Sequence, residues 1–341
     1  MSEMLRQAHT SAALVRPRIG FLGVGWIGRN RMQALIDSNL VQVAAIADES
    51  PDVAHAAAEL APHASVSESL DSLLEQDLDA LVIATPSALH AEQCIAALES
   101  GMAVFCQKPL ARNAAENAAV IDAARKHDCL LGIDLSYRHV NGMKRNRELI
   151  RNGEIGKVFG ANLVFHNAYG PDKSWYYNFV QSGGGCVMDL GIHLVDLALW
   201  ALNYPEIEHV TSRLFSGGEP VNGRQDLVED YAIARIDLKD GATINLACSW
   251  HLPAGREAVI EATFYGTKGG LSLHNLNGSF YAFQTERFRG TTHEALEPVD
   301  DGWGGRAAVA WARQLSRGNH FDPEVEKIIT VAKTLDRIYG R

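Results

Sequence analysis

The sequence predicts an α/β protein in two parts: a doubly wound parallel sheet, then an α+β unit with an antiparallel or mixed sheet. Short apolar segments alternate with amphipathic segments as far as Asp134, which is the pattern of successive β-α-β units. After about Arg138 this alternation stops, and strand-like segments separated by turn residues follow one another. A chain of 341 residues is also longer than one ordinary hydrophobic core supports. We therefore expect a flexible tail over 1–16 and domains over 17–137 and 138–341.

The individual elements follow from periodicity, turn residues and helix-start residues. The strands of the first part are short apolar runs, at 18–22, 41–47, 80–84, 102–106 and 130–134. Its helices are amphipathic, at 26–38, 51–60, 67–75, 87–100 and 113–127. The second part has helices at 141–152, 306–317 and 323–339, and strands at 157–166, 228–238, 242–250, 259–265 and 270–274. Pro51 suits the first position of its helix and Ser67 suits the N-cap of the next one.

Composition and charge limit the classes of protein to which this chain can belong. Acidic residues outnumber basic ones by 41 to 31, which argues against a nucleic-acid partner. Apolar residues make up 47 % of the chain, yet we find neither an apolar run long enough to cross a bilayer nor a secretory signal. We therefore expect no membrane partner. The five cysteines are scattered and never spaced C-x-x-C, as in the reduced thiols of a cytoplasmic protein.

A glycine-rich motif at 23–28, G-x-G-x-x-G, joins the first strand to the first helix. In that context its glycines allow a tight turn, a close approach of pyrophosphate to the backbone, and close packing of helix on strand. The free N–H groups of the helix N-terminus then face the phosphates. A flavin site, or a fold of the same shape without a nucleotide, is the alternative. The predicted nucleotide contacts of the motif are Gly23, Gly25, Trp26, Ile27 and Gly28.

The choice between NAD and NADP depends on the end of the second strand. Asp48 lies there, 20 residues after Gly28, where an acidic residue binds the ribose hydroxyls. Its carboxylate repels a 2′-phosphate, and the next residues, Glu49 and Ser50, supply no arginine to attract one. The sequence therefore favours NAD as the cofactor, with NADP less favoured.

Loops after the strands at 80–84 and 102–106 lie at the carboxyl edge of the predicted parallel sheet, where ligands bind in open α/β folds. Pro86 and Ser87 also suit a plain helix start, which is the structural alternative for the first loop. Lys108 is placed to join the nicotinamide ribose to a substrate hydroxyl, and the alternative is an ordinary solvated lysine. The predicted cofactor contacts of these loops are Ala84, Thr85, Pro86, His90, Gln107 and Lys108.

The segment 183–200 places polar residues in a regular order on an otherwise apolar helix that follows three glycines. Asp189, His193 and Asp196 share one stripe of a helix by their spacing. Neutral imidazole accepts a proton near neutral pH, so His193 is the candidate base, with Asp189 orienting it or holding a hydroxyl. The alternative is a buried histidine and aspartate that satisfy each other. Asp196 is assigned a structural role, and no histidine pair at metal spacing occurs, so no metal is expected.

Substrate contacts are expected from aromatic and polar residues near the predicted junction of the two parts. Tyr137 and Arg138 follow the strand at 130–134, and Trp175 and Tyr176 lie in the loop before the glycines. Aromatic faces with hydroxyl tips suit sugars, which present both C–H and O–H groups. Packing of these residues under a long loop is the alternative. The segment at 303–306, Trp-Gly-Gly-Arg, is a weaker candidate for the same cleft.

These motifs together resemble the glucose–fructose oxidoreductase / inositol dehydrogenase / MocA family. The resemblance runs from about Pro17 onward and includes the loop at 84–90, the Lys-Pro pair and the G-G-G…D-x-G-x-H-x-x-D segment. It implies a Rossmann domain and a second domain whose large open, mostly antiparallel sheet builds homodimers or homotetramers. It also implies NAD(P)-dependent oxidation or reduction of a sugar, cyclitol or related polyol. Lys108, Asp189 and His193 match the catalytic positions of the family, and we expect them also to contact the substrate.

One residue departs from the family pattern, because Gln107 occupies the position of the usual glutamate before Lys-Pro. Glutamine keeps the shape and the hydrogen bonds but not the charge, so Lys108 has no adjacent counter-ion in the sequence. Two other functions occur for this architecture. Some members of the family eliminate or hydrolyse a glycosidic bond through transient use of NAD. A sugar sensor that binds the dinucleotide without turnover is the second alternative.

Overall fold

The computed structural model describes residues 16–221, 223–224, 227–300 and 302–341. Apart from Arg16, the flexible tail expected at 1–16 lies outside the described residues. The two-part architecture is confirmed: a six-stranded parallel sheet comes first, and a nine-stranded mixed sheet follows.

The first sheet has the strand order β3-β2-β1-β4-β5-β6, and every pair in it is parallel. Its middle strands β4 and β5 are buried at every residue, as their continuous apolar runs predict. The strands are β1 Arg18–Leu22, β2 Gln42–Ala47, β3 Ser65–Ser67, β4 Ala80–Ile83, β5 Ala103–Cys106 and β6 Leu131–Ile133. The helices are α1 Trp26–Ser38, α2 Pro51–Ala58, α3 Leu70–Leu74, α4 Ser87–Glu99 and α5 Ala114–Lys126.

The helix predicted at 67–75 is wrong in its first turn. Ser67 is the last residue of the short edge strand β3, which pairs with β2. The helix cap is Ser69, whose hydroxyl accepts a hydrogen bond from the Ser72 backbone amide at 3.2 Å. A three-residue polar strand has no hydrophobic alternation of its own, so pairing with β2 decides its conformation.

The second sheet has the order β15-β14-β13-β12-β7-β11-β10-β8-β9, with β7 and β11 parallel and all other neighbours antiparallel. The outer strands β8, β9, β14 and β15 are not in the sequence-based assignment. The strands are β7 Val158–Asn167, β8 Ile207–Ser216, β9 Glu219–Pro220, β10 Tyr231–Leu238, β11 Thr243–Ser249, β12 Ala258–Gly266, β13 Gly269–Asn275, β14 Phe283–Arg289 and β15 Thr292–Asp300.

The helices of the second part pack against both sheets. They are α6 Asn141–Arg151, α7 Phe179–Ser182, α8 Ile192–Ala201, α9 Arg306–Leu315 and α10 Ile328–Tyr339. A π-helical turn, Val187–Gly191, runs directly into α8. Helix α8 packs on β7 and β11. Helix α9 returns to the first sheet, where the rings of Trp311 and Phe105 lie 5.5 Å apart between centroids.

The expectation that no apolar run reaches the length of a membrane span is wrong. The stretch Phe179–Ala201 is long and apolar enough by length and composition. In the structure, 89 % of its most apolar window is buried inside the protein, as in the core helix between two packed layers.

Candidate active site

The glycine motif forms a tight turn between β1 and α1. Gly23 has φ +84°, and a Cβ on Gly28 would lie 2.3 Å from the Gly23 carbonyl oxygen, so both positions require glycine. Gly25 differs, because a Cβ there would meet no atom within 4 Å. The backbone at Gly25 is therefore open to a ligand, and the side chain of Trp26 beside it is 71 % exposed. This arrangement fits the phosphates of a dinucleotide at the start of α1.

Asp48 lies at the end of β2 with both carboxylate oxygens held by backbone amides. Oδ2 accepts from Val24 N at 2.8 Å and Oδ1 accepts from Ser50 N at 3.0 Å. Each oxygen keeps a further lone pair, so the carboxylate can still accept hydrogen bonds from two ribose hydroxyls. Because Val24 belongs to the glycine motif, Asp48 also fixes the position of that turn.

The buried side chain of His90 contacts the backbone of the loop after β4. This ring is fully buried, with Nε2 2.8 Å from the Thr85 carbonyl oxygen and Nδ1 2.7 Å from the Pro109 carbonyl oxygen. Burial lowers the pKa of His90. The expected direct contact of His90 with the cofactor is therefore not what this geometry favours, because both ring nitrogens already face the backbone. His90 instead connects the loops after β4 and β5. The hydroxyl of Thr85 donates to Gln93 Oε1 at 2.5 Å.

Lys108 reaches across from the first part to Asp189, in the π-helical turn of the second part. Its Nζ lies 2.5 Å from Asp189 Oδ1 and 2.8 Å from the Asp189 carbonyl oxygen. The other carboxylate oxygen, Oδ2, accepts from Trp250 Nε1 at 3.0 Å. Lys108 has no counter-ion adjacent in the sequence, and Asp189, distant in sequence, supplies one. Gln107 is buried and points inward, and its side-chain carbonyl accepts from the Lys108 amide at 3.3 Å.

His193 is buried and has no hydrogen-bond partner for its ring nitrogens among the described residues. The alternative of a histidine and an aspartate that satisfy each other is therefore wrong, because Asp189 is bonded to Lys108 and Trp250 instead. Burial lowers the pKa of His193 well below 6.5, and the nearby positive charges of Lys108 and Arg31 lower it further. The ring is accordingly neutral at pH 7 and has a nitrogen free to accept a proton.

The π-helical turn explains why Asp189, His193 and Asp196 do not share one stripe of a helix, as their spacing predicted. A π turn holds more residues than an α turn, so it rotates Asp189 relative to His193. Asp196 meets Arg138, whose Nε donates to Oδ2 at 2.8 Å and whose other nitrogen donates to the Tyr204 hydroxyl at 2.6 Å. Arg138 is therefore held in an ion pair with Asp196, which favours a structural role over the substrate contact expected from the sequence.

Aromatic side chains surround the Lys108–Asp189 pair and His193. The ring of Tyr137 packs edge-on against His193 at 4.8 Å between centroids and against Trp303 at 4.7 Å. Trp175 and Tyr176 stack at 3.8 Å. Burial raises the pKa of both tyrosines, and the charge of Asp189 raises it further. Neither hydroxyl has a hydrogen-bond partner within the described ranges.

Sequence reasoning missed two residues that position this centre, Trp250 and Glu229. The buried Glu229 carboxylate accepts from the amides of Gly185 and Val187 at 2.9 Å and from the Tyr339 hydroxyl at 2.7 Å. A Cβ on Gly185 would lie 1.9 Å from the Glu229 carbonyl oxygen. The glycine there is thus required by protein packing rather than by a ligand. Trp250 directly follows β11, and its position at a strand end is the one local signal.

A parallel sheet with an open phosphate turn, joined to a second domain that faces it with a lysine–aspartate pair and a neutral histidine, defines a two-domain nicotinamide-dinucleotide oxidoreductase. The chain belongs to the GFO/IDH/MocA family. Residues 17–135 match the family model described as "Oxidoreductase family, NAD-binding Rossmann fold", and residues 143–272 match the "GFO/IDH/MocA C-terminal domain". Together the two matches span more than two thirds of the chain.

Relatives and solved structures agree with this assignment. D-glucoside 3-dehydrogenase of Escherichia coli (strain K12) is 27 % identical over 281 residues, 79 % of each chain. The crystal structure of GenD2 from gentamicin A biosynthesis in complex with NAD has a TM-score of 0.78 at 25 % identity, over 95 % of this chain and 93 % of that one. KijD10, a 3-ketoreductase from Actinomadura kijaniata in complex with NADP and TDP-benzene, has a TM-score of 0.82 at 23 % identity, over 95 % and 97 %. The last likeness shows the fold alone. The chain is thus an NAD(P)-binding member of a family of sugar dehydrogenases and reductases.

Proposed function

We propose that this protein transfers a hydride between nicotinamide and a secondary hydroxyl or ketone of a sugar, cyclitol or related polyol, with His193 as the acid–base residue. The observation that carries the proposal is the meeting of Lys108 with Asp189 at 2.5 Å beside a neutral, unbonded His193. These groups come from both parts of the chain, so the packing of the two parts brings an electrostatic group and a base together.

The roles of the three residues follow from their charges. His193 is neutral, so it accepts the proton of the substrate hydroxyl as the C–H bond breaks, and it returns that proton in the reverse direction. Lys108 stabilises the negative charge that develops on the substrate oxygen. Asp189 holds the Lys108 ammonium in place through Oδ1, and Trp250 fixes the same carboxylate through Oδ2. A nicotinamide ring bound here supplies the hydride acceptor or donor.

The free hydroxyls of Tyr137 and Tyr176 support a sugar as the substrate. Burial and the charge of Asp189 raise the pKa of both hydroxyls, so they stay protonated at neutral pH, and both rings offer apolar faces. A sugar ring needs this combination, because its C–H faces pack on aromatic rings while its hydroxyls need polar partners. Trp175, stacked on Tyr176, extends the same wall.

The test of the proposed function is the variant His193→Ala, assayed for turnover and for NAD affinity. We expect turnover to fall by about 10²–10⁴, the range for a lost acid–base group, with NAD affinity little changed. A panel of cyclitols, aldoses and glycosides identifies the substrate by NADH absorbance. Stoichiometric NADH supports a dehydrogenase. Product without NADH accumulation indicates glycoside cleavage, and binding without turnover indicates a sensor. Near-normal turnover of the variant would remove His193 from the mechanism.

We also propose that NAD is the preferred cofactor, on the basis of the anchored Asp48 carboxylate. A 2′-phosphate would face this negative charge, so NAD should bind at least about tenfold more tightly than NADP, or about 1.4 kcal/mol. Fluorescence titration of both cofactors measures the ratio. The paired variant Asp48→Ser with Glu49→Arg should narrow or reverse it, and tighter NADP binding by the unchanged protein would contradict the proposal.

We propose further that the second sheet forms a homodimer or homotetramer. Its residues alternate in burial along β7, and the uncovered face includes Ile233 and Tyr265, both exposed. Pairing of two such faces would bury these apolar side chains. The mass measured by light scattering tests this, and a monomer at all concentrations would refute it.

The five buried free thiols support a cytoplasmic location, which we propose as well.

A further inference from the structure

A buried carboxylate, Asp134, lies directly after β6 and bonds to two other buried polar side chains, Arg31 and Gln107. Asp134 is only 1 % exposed. Its Oδ2 accepts from Arg31 Nε at 2.5 Å and also from the side-chain amide of Gln107. Its Oδ1 is buried and has no hydrogen-bond partner among the described residues. One carboxylate oxygen therefore accepts hydrogen bonds from the Arg31 guanidinium of α1 and from the Gln107 amide that follows β5.

The Asp134 carboxylate determines which residue type is accommodated at position 107. Gln107 donates to Asp134 through its amide nitrogen, and a carboxylate at that position has no hydrogen to donate. A glutamate at 107 would place two negative charges within hydrogen-bond distance in a buried site, and like charges so close cannot both be ionised cheaply. Gln107 in turn accepts from the Lys108 backbone amide. Asp134 thus reaches Lys108 through one intermediate side chain.

Asp134 also acts on His193, through Arg31. The positive charges that lower the pKa of His193 are those of Lys108 and Arg31. The first of these is paired with Asp189 and the second with Asp134. Removal of the Asp134 charge would leave the Arg31 guanidinium without its carboxylate partner. The other titratable groups that sense the Asp134 charge are Cys106 and His139.

We propose that Asp134 is a positioning residue of the reaction: its single negative charge both fixes Lys108 through Gln107 and pairs with the charge of Arg31. Positions 107 and 134 together require one carboxylate and one amide. The catalytic consequence rests on the proposed function, whereas the pairing itself concerns only the folded protein. Asp134 touches neither substrate nor cofactor in this assignment.

The test is a charge exchange between the two positions, with Gln107→Glu, Asp134→Asn and the double variant. Each single change is expected to lower turnover at least about tenfold, Gln107→Glu by adding a second carboxylate and Asp134→Asn by leaving Arg31 unpaired. The double variant again holds one carboxylate and one amide, and we expect it to recover turnover at least tenfold over the weaker single variant. Losses that simply add in the double variant would overturn the proposal.

A second readout needs no substrate, so it separates this proposal from the proposed function. In Gln107→Glu the facing charges are Asp134, Arg31 and Lys108, and the neighbouring Asp134 raises the pKa of the introduced carboxyl above its unfolded value. A carboxyl whose pKa is higher in the folded than in the unfolded protein must be ionised at a cost when the pH exceeds its unfolded pKa. The free energy of unfolding therefore falls as the pH rises through this range. The deficit in Tm against the unchanged protein should therefore be larger at pH 8 than at pH 5.5. An equal deficit at both pH values would overturn the pairing.

The matched control is Asp300→Asn, which breaks another buried aspartate–arginine pair. Asp300 contacts Arg306 at 2.7 Å, and that guanidinium is not among the charges that lower the pKa of His193. We expect a lower Tm with unchanged turnover. If a single variant at 107 or 134 does not fold and the double variant does, the coupling is supported. If the double variant also fails to fold, the proposed exchange is rejected.

Discussion

The hydrogen bond from Trp250 to Asp189 offers a sharp test of the active-site geometry. The variant Trp250→Phe keeps an aromatic ring at the end of β11 but removes the indole N–H, which lies 3.0 Å from Asp189 Oδ2. The side chain of Asp189 then keeps only its bond to Lys108, through Oδ1, among the described residues. With one oxygen released, the carboxylate rotates more freely and carries the Lys108 ammonium with it.

The size of the effect follows from the charge on the acceptor. A hydrogen bond to a charged group contributes about 1.5–3 kcal/mol. If that free energy holds Lys108 in its productive position, its loss lowers kcat by about 10- to 100-fold, because 1.4 kcal/mol corresponds to a factor of ten. The smaller ring also leaves a cavity, which lowers the free energy of unfolding by about 1–3 kcal/mol without acting on the chemistry.

Trp311→Phe is the matched control for this cavity. Trp250 and Trp311 are 3 % and 4 % exposed, so the two truncations remove similar buried area. The indole nitrogen of Trp311 is buried without a partner among the described residues, so its loss removes no hydrogen bond. We expect both variants to lower Tm and only Trp250→Phe to lower kcat, measured by NADH absorbance at saturating NAD. Turnover of Trp250→Phe within twofold of the unchanged protein would refute the role of the N–H.

Two other predictions concern the glycines and the histidine. Gly185→Ala should lower the free energy of unfolding by at least about 1–3 kcal/mol, because the new Cβ would lie 1.9 Å from the Glu229 carbonyl oxygen. Gly25→Ala should leave unfolding in denaturant unchanged and weaken NAD binding at least about tenfold, since its Cβ meets only open space; equal stability loss in both variants would contradict this. The pKa of His193 lies well below 6.5 through burial and the charges of Lys108 and Arg31. His193 becomes protonated, and stops acting as a base, only as the pH falls through that lowered pKa. We therefore expect kcat/KM for oxidation to stay constant from pH 8 to below 6.5. A loss of kcat/KM centred at or above pH 6.5 would argue for another base.

The sequence by itself determined the features that depend on neighbouring residues. The alternation of apolar and amphipathic segments predicts the parallel sheet, and the glycine motif predicts the open turn at Gly25. The apolar helix that carries Asp189 and His193 also follows from local spacing. These predictions hold because turns, helix starts and periodicity act over fewer than about 20 residues.

The tertiary structure alone decided which side chains meet. The outer strands β8, β9, β14 and β15 follow from pairing with a neighbour, because strands that stay largely exposed have little hydrophobic alternation to reveal them. The π turn, which separates Asp189 from His193, is equally invisible in the spacing. Lys108 and Asp189 are 81 residues apart in the sequence, and Gln107 and Asp134 are 27 residues apart. Each of these contacts joins different elements. A residue's charge and size are written in the sequence, but its partner depends on how distant elements pack, and that packing decides whether a carboxylate binds a histidine, a lysine or an arginine.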